Sequence, residues 1–303
     1  MRILQIFVDG FGLGENNPEV NPLIAARTPC LDSLLEGHRL WGRDIVETSQ
    51  AVLVPLDASL GIEGVPQSAT GQTTLWTGVN AAKVEGRHIN AYPTIALRQV
   101  IKERSIFKTL TDRGCKVTFA NAFTKHYHEK VEEGSLKYSA STLSAMAGGL
   151  TLRDVVELRE GRAVYQDITN DFLRTMGLDI PLVSPAQAGS ALARIALEHD
   201  FTLYEFFQTD VAGHKQDMER GIALVEMLDK FLQAVLKEFS AKDNLVMITS
   251  DHGNLEDVRI KKHTLNPVPL LLIGDYQRLP WQELKGIEEV AGLVLSTVRP
   301  TES

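Results

Sequence analysis

Three aspartates and three histidines stand beside short apolar runs that have the character of buried strands. Carboxylate oxygen combined with imidazole nitrogen is a donor set suited to Zn²⁺ or Mn²⁺, whereas an all-oxygen set favours Mg²⁺ or Ca²⁺. In an open α/β sheet, the segments beyond the carboxyl ends of the strands converge at one edge, where ligands bind. The residues concerned, in chain order, are Asp9, Asp210, His214, Asp251, His252 and His263.

The spacing of these residues predicts two sites for divalent cations. Asp210 and His214 are one helical turn apart in QTDVAGH, so both side chains can face the same point. His263, in KKHTLNPVP, is expected to complete that first set. The second set is expected to consist of Asp9 in VDGFGLG together with Asp251 and His252 in ITSDHGN.

Each of these short motifs also has an ordinary structural explanation. A DH dipeptide or a DxxxH pair alone is usually a solvated loop, and an Asp after a strand is common in turns. The joint placement of all six residues at one sheet edge favours metal binding. The remaining histidines lack such a setting, and we assign no metal role to His38, His88, His126, His128 or His199.

A candidate nucleophile, Ser68, lies in the segment GVPQSATGQTTLWTGVNA. Pro66 indicates a loop, and residues 69–77 predict a helix that ends at Gly78. Ser68 is therefore expected at a helix N-terminus, where free backbone N–H groups and the helix dipole favour an anion such as a phosphoryl group. The alternative is that Ser68 is only an N-cap. Three hydroxyls deeper in the helix are also possible nucleophiles: Thr70, Thr73 and Thr74.

Apolar runs alternate with amphipathic stretches, which is typical of a mostly parallel sheet covered on both faces by helices. The predicted strands are residues 3–8, 117–121, 201–207, 245–249 and 268–273. The predicted helices are residues 22–36, 69–77, 105–113, 185–198, 217–239 and 287–298. We therefore predict a doubly wound α/β core.

Residues 122–182 interrupt this alternation with polar stretches and weak strand signals. We predict that they form a small inserted cap. Residues 1–121 and 183–303 are then the metal-binding catalytic core.

Composition argues against several classes of protein. The 303 residues include 31 Lys and Arg against 39 Asp and Glu, a net charge of −8. An acidic chain is a poor match for nucleic acid or an anionic membrane surface. With only Cys30 and Cys115, we expect neither a disulfide framework nor a thiolate metal site. The opening MRILQIFVDG is too short to be a signal peptide or a membrane span, so we expect a cytoplasmic protein.

The chain resembles the alkaline phosphatase superfamily, most closely its cofactor-independent phosphoglycerate mutase and phosphopentomutase branch. The motifs that carry the resemblance lie on both sides of the predicted cap: VDGFG, QSATGQTTLWTG, TDVAGH, SDHGN and HTLNPVP. The resemblance implies a doubly wound core with a variable cap and two divalent ions. It matches Ser68 to the phosphoryl-accepting hydroxyl, which is also a ligand of the ion held by Asp9, Asp251 and His252. Asp210, His214 and His263 match the ligands of the other ion.

Two departures leave the choice between mutase and hydrolase open. Ala69 and Gln72 stand where the mutase branch has a polar or acidic residue and a His, and the small cap lacks a recognisable arginine set that grips substrate. The resemblance therefore implies two-metal phosphoryl transfer on a small phosphorylated metabolite, by a phosphomutase or a phosphomonoesterase. The alternatives are a phosphodiester or phosphonate hydrolase on the same scaffold and an inactive, metal-stabilised binding protein.

Basic residues outside these motifs are candidates for binding the phosphate of the substrate, because a guanidinium can bind phosphate through two hydrogen bonds. Arg87 and His88 follow the nucleophile segment in EGRHINAYP. Arg153 and Arg162 lie in the predicted cap. For all four, solvation at the surface is the alternative.

Overall fold

The computed structural model describes residues 1–239 and 244–300. The strands are β1 (Arg2–Val8), β2 (Val46–Glu47), β3 (Ala51–Leu56), β4 (Val117–Phe119), β5 (Ala122–Phe123), β6 (Arg153–Asp154), β7 (Phe201–Phe206), β8 (Asn244–Thr249) and β9 (Val268–Gly274). The first helices are α1 (Pro22–Ala25), α2 (Pro29–Leu34), α3 (Ser68–Thr77), α4 (Ala81–Glu85), α5 (Ile95–Arg104), α6 (Ile106–Asp112) and α7 (Lys125–Glu132). The others are α8 (Ala140–Ala147), α9 (Val155–Arg159), α10 (Asp171–Thr175), α11 (Pro185–Leu197), α12 (Gln208–His214), α13 (Met218–Glu238) and α14 (Val290–Thr297).

In the described part of the chain, the main sheet has seven strands in the order β2-β3-β9-β8-β1-β7-β4. The four strands β8, β1, β7 and β4 pair in parallel. On the other side of β8, the strands β9, β3 and β2 pair antiparallel. The central strands are almost entirely buried, as expected when a sheet is covered on both faces. The predicted α/β sheet is confirmed.

Two apolar cores lie on opposite faces of this sheet, because successive side chains of a strand point to opposite sides. Ile6 of β1 belongs to the core that is covered by α11 and α13. Its neighbour Phe7 belongs to the other core, where its ring meets that of Trp76 from α3 at a centroid distance of 5.4 Å. Helix α3, which begins at Ser68, is therefore fixed against the centre of the sheet.

The sequence interpretation of residues 22–36 as one helix is wrong. The segment forms two short helices, α1 and α2, and Pro29 begins the second. Proline has no N–H to continue a helix but fits well in a first turn. The strand β3 was not predicted, although its continuous apolar run AVLVPL is a recognisable signal.

The antiparallel direction of β9 matters for the site. Thr249, at the end of β8, is paired with Leu270 near the start of β9. The chain that enters β9 therefore lies at the edge where β1, β7 and β8 end. This is why the segment that carries His263 can reach the loops that follow those three strands.

Residues 122–182 contribute the short β5-β6 pair, the helices α7 to α10 and a small apolar cluster of their own that includes Leu158, Tyr165 and Leu173. Their assignment as a cap stays a prediction. Both cysteines, Cys30 and Cys115, are free and buried. Among the described residues, no helix has the length and apolar character needed to cross a membrane.

Candidate metal centre and active-site cleft

The structure brings Asp210, His214 and His263 together at the carboxyl edge of the sheet. Asp210 and His214 lie on the short helix α12, and the distance between Oδ2 and Nε2 is 3.3 Å. His263 Nε2 is 3.6 Å from Asp210 Oδ1. One candidate ligand atom from each residue lies within 4.8 Å of the other two. We call these three residues the first donor group.

The hydrogen bonds of the two histidines set the direction of their lone pairs. The Nδ1 of His214 is 2.9 Å from the carbonyl oxygen of Lys261, and the Nδ1 of His263 is 2.8 Å from that of Pro66. A carbonyl can only accept, so each Nδ1 carries a proton, and Nε2 is the atom of each ring that is available to bind a cation. These Nε2 atoms are 3.2 Å apart. Lone pairs facing each other at this distance repel unless a cation or a proton lies between them.

Asp9, Asp251 and His252 form a second donor group, which is buried. The Nε2 of His252 is 3.4 Å from Asp9 Oδ1 and 3.5 Å from Asp251 Oδ2. Among the described residues, no hydrogen-bond donor reaches either carboxylate oxygen of Asp251 or Oδ1 of Asp9. Buried carboxylate oxygens normally have a hydrogen-bond donor or a metal ion, so these three orphaned atoms fit a bound cation.

The protonation behaviour of both groups points the same way. Burial, and then the neighbouring acidic side chains, raise the pKa of the Asp9 and Asp251 carboxyls well above the usual value. Burial lowers the pKa of His252 and His263. The protein alone therefore disfavours the ionised acids and keeps these imidazoles neutral. A bound divalent cation would lower the pKa of the two carboxyls again, and it needs neutral imidazoles as ligands.

Ser68 is the first residue of α3, and its side chain faces the second donor group. Its Oγ is 3.0 Å from His252 Nε2. The alternative that Ser68 is an N-cap is wrong, because Gln67 holds that position and makes no side-chain capping bond. The expected free N–H groups are partly engaged, since Ala69 and Thr70 both donate to the carbonyl of Ile89.

The threonine hydroxyls of α3 are turned to the helix backbone. The hydroxyls of Thr70, Thr73 and Thr74 donate to the carbonyl oxygens of Gln67, Ala69 and Thr70 respectively. Among the hydroxyls considered as nucleophiles, only that of Ser68 contacts a donor group.

Residues that the sequence analysis missed hold the two groups in place. Asn254 Nδ2 donates to Asp210 Oδ1 over 2.7 Å, and Gln72 Nε2 reaches Asp9 Oδ2 at 3.4 Å. The buried Glu256 accepts hydrogen bonds from the Gly12 and Asn254 amides and from the side chains of Thr264 and Asn266. Asn254 and Glu256 lie within five residues of His252 in SDHGNLED, which is the signal that could have found them.

A cleft of about 830 Å³ opens over Ser68, Asp9 and Asp210. One wall comes from residues 122–182 and the other from the segment that follows β7. The aromatic side chains in its lining are Tyr92, Phe123, Tyr127, Tyr165, Phe172 and Phe207. The basic side chains in its lining are Lys137, Lys215 and Arg220.

The four residues predicted to bind substrate do not line this cleft. Arg87 is exposed, and His88 Nε2 lies 3.3 Å from the carbonyl oxygen of Ile62. Arg153 donates to Thr118 Oγ1, and Arg162 pairs with Glu160 at the surface. Their role in substrate binding stays a prediction without support from this geometry.

A family match covers nearly the whole chain. The family described as Metalloenzyme superfamily matches residues 1–302. Two curated relatives are named 2,3-bisphosphoglycerate-independent phosphoglycerate mutase. That of Moorella thermoacetica is 29% identical over 38% of this chain and 24% of its own length. That of Desulforudis audaxviator is 31% identical over 31% of this chain and 20% of its own length. The similarity to these relatives therefore covers about a quarter of their length or less.

Solved structures share the fold at low sequence identity. A protein from Pyrococcus horikoshii matches all of this chain and 98% of its own with a TM-score of 0.60 and 16% identity. Alkaline phosphatase from the Antarctic bacterium TAB5 covers 99% of this chain and 98% of its own with a TM-score of 0.52 and 12% identity. A phosphoglycerate mutase from Leishmania mexicana covers 100% and 96% with a TM-score of 0.50 and 12% identity.

Proposed function

Because this chain belongs to the Metalloenzyme superfamily, we propose that it transfers a phosphoryl group from a small phosphorylated metabolite. Ser68 is the proposed nucleophile, and two divalent ions are the proposed cofactors. The observation that carries the proposal is the position of the Ser68 hydroxyl, 3.0 Å from His252, at the junction of the helix α3 and the second donor group.

In this proposal each donor group holds one ion. Asp210, His214 and His263 hold the first, and Asp9, Asp251 and His252 hold the second with the Ser68 oxygen. The mixture of carboxylate and imidazole donors favours Mn²⁺ or Zn²⁺. When bound, the two ions supply positive charge that lowers the pKa of a nearby hydroxyl and stabilises the charge on a transferring phosphoryl group.

The chain's own residues orient the nucleophile. Gly71 lies so close to Asp251 that a Cβ on it would be 2.8 Å from the Cβ of Asp251, so α3 packs directly on the loop after β8. This contact holds the Ser68 oxygen beside the second donor group, at the floor of the cleft that Ser68 and Asp9 line. Attack on phosphorus by that oxygen forms a phosphoserine and releases the alcohol of the substrate. Transfer from Ser68 to an acceptor then completes the reaction.

The cleft is of a size that suits a metabolite rather than a macromolecule. Its basic side chains, Lys137, Lys215 and Arg220, can attract a phosphorylated ligand. A phosphatase passes the phosphoryl group to water, and a mutase returns it to the substrate. The proposal covers the shared first half of both reactions, and analysis of the products identifies the acceptor.

The test combines metal analysis with a change of the nucleophile. Purified protein is expected to hold two ions per chain and to hydrolyse an aryl phosphate. Ser68→Ala is expected to lower kcat by about 10⁴-fold or more, as for removal of a nucleophile in other enzymes, while metal content stays largely intact. The control is Ser33→Ala, at an exposed serine on α2.

Mass spectrometry after exposure to substrate is expected to find phosphate on Ser68. Parallel assays with a phosphodiester and a phosphonate separate the monoesterase from the other hydrolases of this scaffold. Undiminished turnover by Ser68→Ala would overturn the proposed nucleophile.

A further inference from the structure

Glu205 is a carboxyl group that the proposed phosphoryl transfer does not use, although it lines the same cleft as Ser68 and Asp9. It lies in the fully buried strand β7 (FTLYEF), and 8% of its surface is exposed. One oxygen, Oε2, accepts a hydrogen bond of 2.5 Å from the Ser141 hydroxyl on α8. The Asn121 side chain makes two hydrogen bonds to the backbone of Glu205. Its Nδ2 donates to the carbonyl oxygen, and its Oδ1 accepts from the N–H. The carboxyl group is therefore held in a fixed position on the cleft wall.

Glu205 has no positive partner in the described part of the chain. It makes no ion pair there with the basic residues that line the cleft, Lys137, Lys215 and Arg220. Burial raises the pKa of Glu205 to about 7, while the Ser141 hydrogen bond lowers it. Buried carboxylates are normally paired with a cation, because removing the charge from water costs several kcal/mol. A ligand can supply that missing charge.

The surroundings of Glu205 in the cleft are aromatic. The Tyr127 ring lies 5.2 Å from that of Phe123, and both line the cleft. Tyr127 and Glu205 line the same cleft, and burial raises the pKa of Tyr127, with a smaller contribution from the Glu205 charge. Aromatic faces next to a carboxylate form the usual recognition site for an ammonium group, through cation–π attraction and charge pairing.

We infer that Glu205 and Tyr127 form a subsite for a protonated amine on the organic part of the phosphorylated substrate, with the buried Ser141 holding the Glu205 carboxyl group in position. The inference rests on the proposed function, because it specifies the alcohol from which Ser68 takes the phosphoryl group. Glu205 acts here as a specificity-determining residue. The substrates are then phosphate monoesters that carry a positive amine, and the same esters without an amine leave Glu205 buried and unpaired.

The test compares three esters that differ in one substituent: 2-aminoethyl phosphate, 2-hydroxyethyl phosphate and ethyl phosphate. With the metal-loaded protein, kcat/KM is expected to be about 10–100-fold higher for the amine than for ethyl phosphate, as expected for a hydrogen bond to a charged group. Glu205→Gln keeps the shape and removes the charge, and is expected to reduce this ratio to within about threefold. Glu160→Gln, at an exposed residue of the same wall segment, is the control and should keep the ratio of the unchanged protein.

A binding measurement covers the case in which Glu205→Gln does not fold. Calorimetry on the unchanged, metal-loaded protein is expected to give about tenfold or more tighter binding of 2-aminoethylphosphonate than of ethylphosphonate.

The inference is overturned if kcat/KM is equal for the amine and ethyl esters, or if the two phosphonates bind with equal affinity. Turnover of the esters would still support the proposed function. A hydroxyethyl ester as good as the amine also overturns it, since a neutral donor would then suffice. An amine preference that survives in Glu205→Gln overturns the role of Glu205. Failure of the unchanged protein to turn over any of the three esters, while it still hydrolyses the aryl phosphate, overturns the inference and leaves the proposed function standing.

Discussion

The imidazole rings of His252 and His263 stack with their centroids 3.6 Å apart and their planes 14° from parallel. Each ring belongs to a different donor group, so the two groups are in direct contact through these rings. His263 is fixed by the Pro66 carbonyl on one side and packs on His252 on the other. Displacing His263 should therefore disturb both groups, whereas changing Asp210 should disturb one.

This relationship predicts different metal contents for two variants. Asp210→Asn is expected to lose about one of two ions, because an amide is a poor metal ligand. His263→Ala is expected to lose that ion and to weaken the other by about 10–100-fold, the usual effect of removing a supporting contact around a metal site. Metal analysis after dialysis against a weak chelator measures both.

The control is His38→Ala, at an exposed histidine with no predicted metal role. If Asp210→Asn and His263→Ala retain the metal content of the unchanged protein, the assignment of the first donor group fails.

The positions of the six donor residues could be predicted from the sequence because strand ends are readable. Asp9 comes directly after β1 and Asp251 lies two residues after β8, and parallel strands end at one edge. The family resemblance stated from these motifs is confirmed, because the Metalloenzyme superfamily matches residues 1–302. His263 was placed correctly beside its strand, but the reason it reaches the site is the antiparallel direction of β9, which the sequence did not indicate.

The supporting residues could not be predicted, because their roles depend on how loops fold. Glu256 and Asn254 bond to segments far away in the chain, such as Gly12 and Asp210. The engagement of the Ala69 and Thr70 N–H groups by Ile89 depends on the course of the loop after α4. Glu205 gave a signal that was not used, a charged residue inside a predicted buried strand.

Removal of metal is expected to destabilise the protein more at high pH than at low pH. Burial and acidic neighbours raise the pKa of Asp9 and Asp251 in the metal-free fold. Above their ordinary pKa the folded state then binds more protons than the unfolded state, so metal-free stability falls as pH rises. Metal binding releases those protons and therefore strengthens with pH.

Thermal unfolding with EDTA and with Mn²⁺, between about pH 5 and pH 8, measures this effect. The difference in Tm between the two conditions should grow with pH. With free metal at about 100 times Kd, the metal contributes about 2.7 kcal/mol per site. A Tm difference that is constant or shrinks with pH would contradict the expected linkage.

Glu256→Gln is expected to loosen the loop that connects the donor groups. The Glu256 carboxylate accepts from the Gly12 and Asn254 amides at 3.0 and 2.7 Å and from two side chains. In glutamine, one oxygen is replaced by an NH₂ group, which would face two of these hydrogen-bond donors. Such a mismatch lowers the unfolding free energy by about 1–3 kcal/mol. Chemical denaturation should show this loss, together with weaker metal binding at Asp210. Glu283→Gln, at an exposed residue of the short 3₁₀ turn Trp281–Glu283, is the control, and equal stability of both variants would show that Glu256 has no such role.

Glu205→Gln is expected to remove part of the fall in stability that the unchanged protein shows as pH rises. Burial raises the pKa of Glu205 from 4.5 to about 7, so its stabilising protonated form is fully present below about pH 4.5 and is lost as pH rises to about 7. Glutamine stays neutral throughout. The unfolding free energy of Glu205→Gln, relative to the unchanged protein, should therefore rise by about 3 kcal/mol between pH 5 and pH 8. Urea denaturation of metal-free protein across this range measures the difference, and parallel pH profiles for the two proteins would show that Glu205 does not titrate in this window.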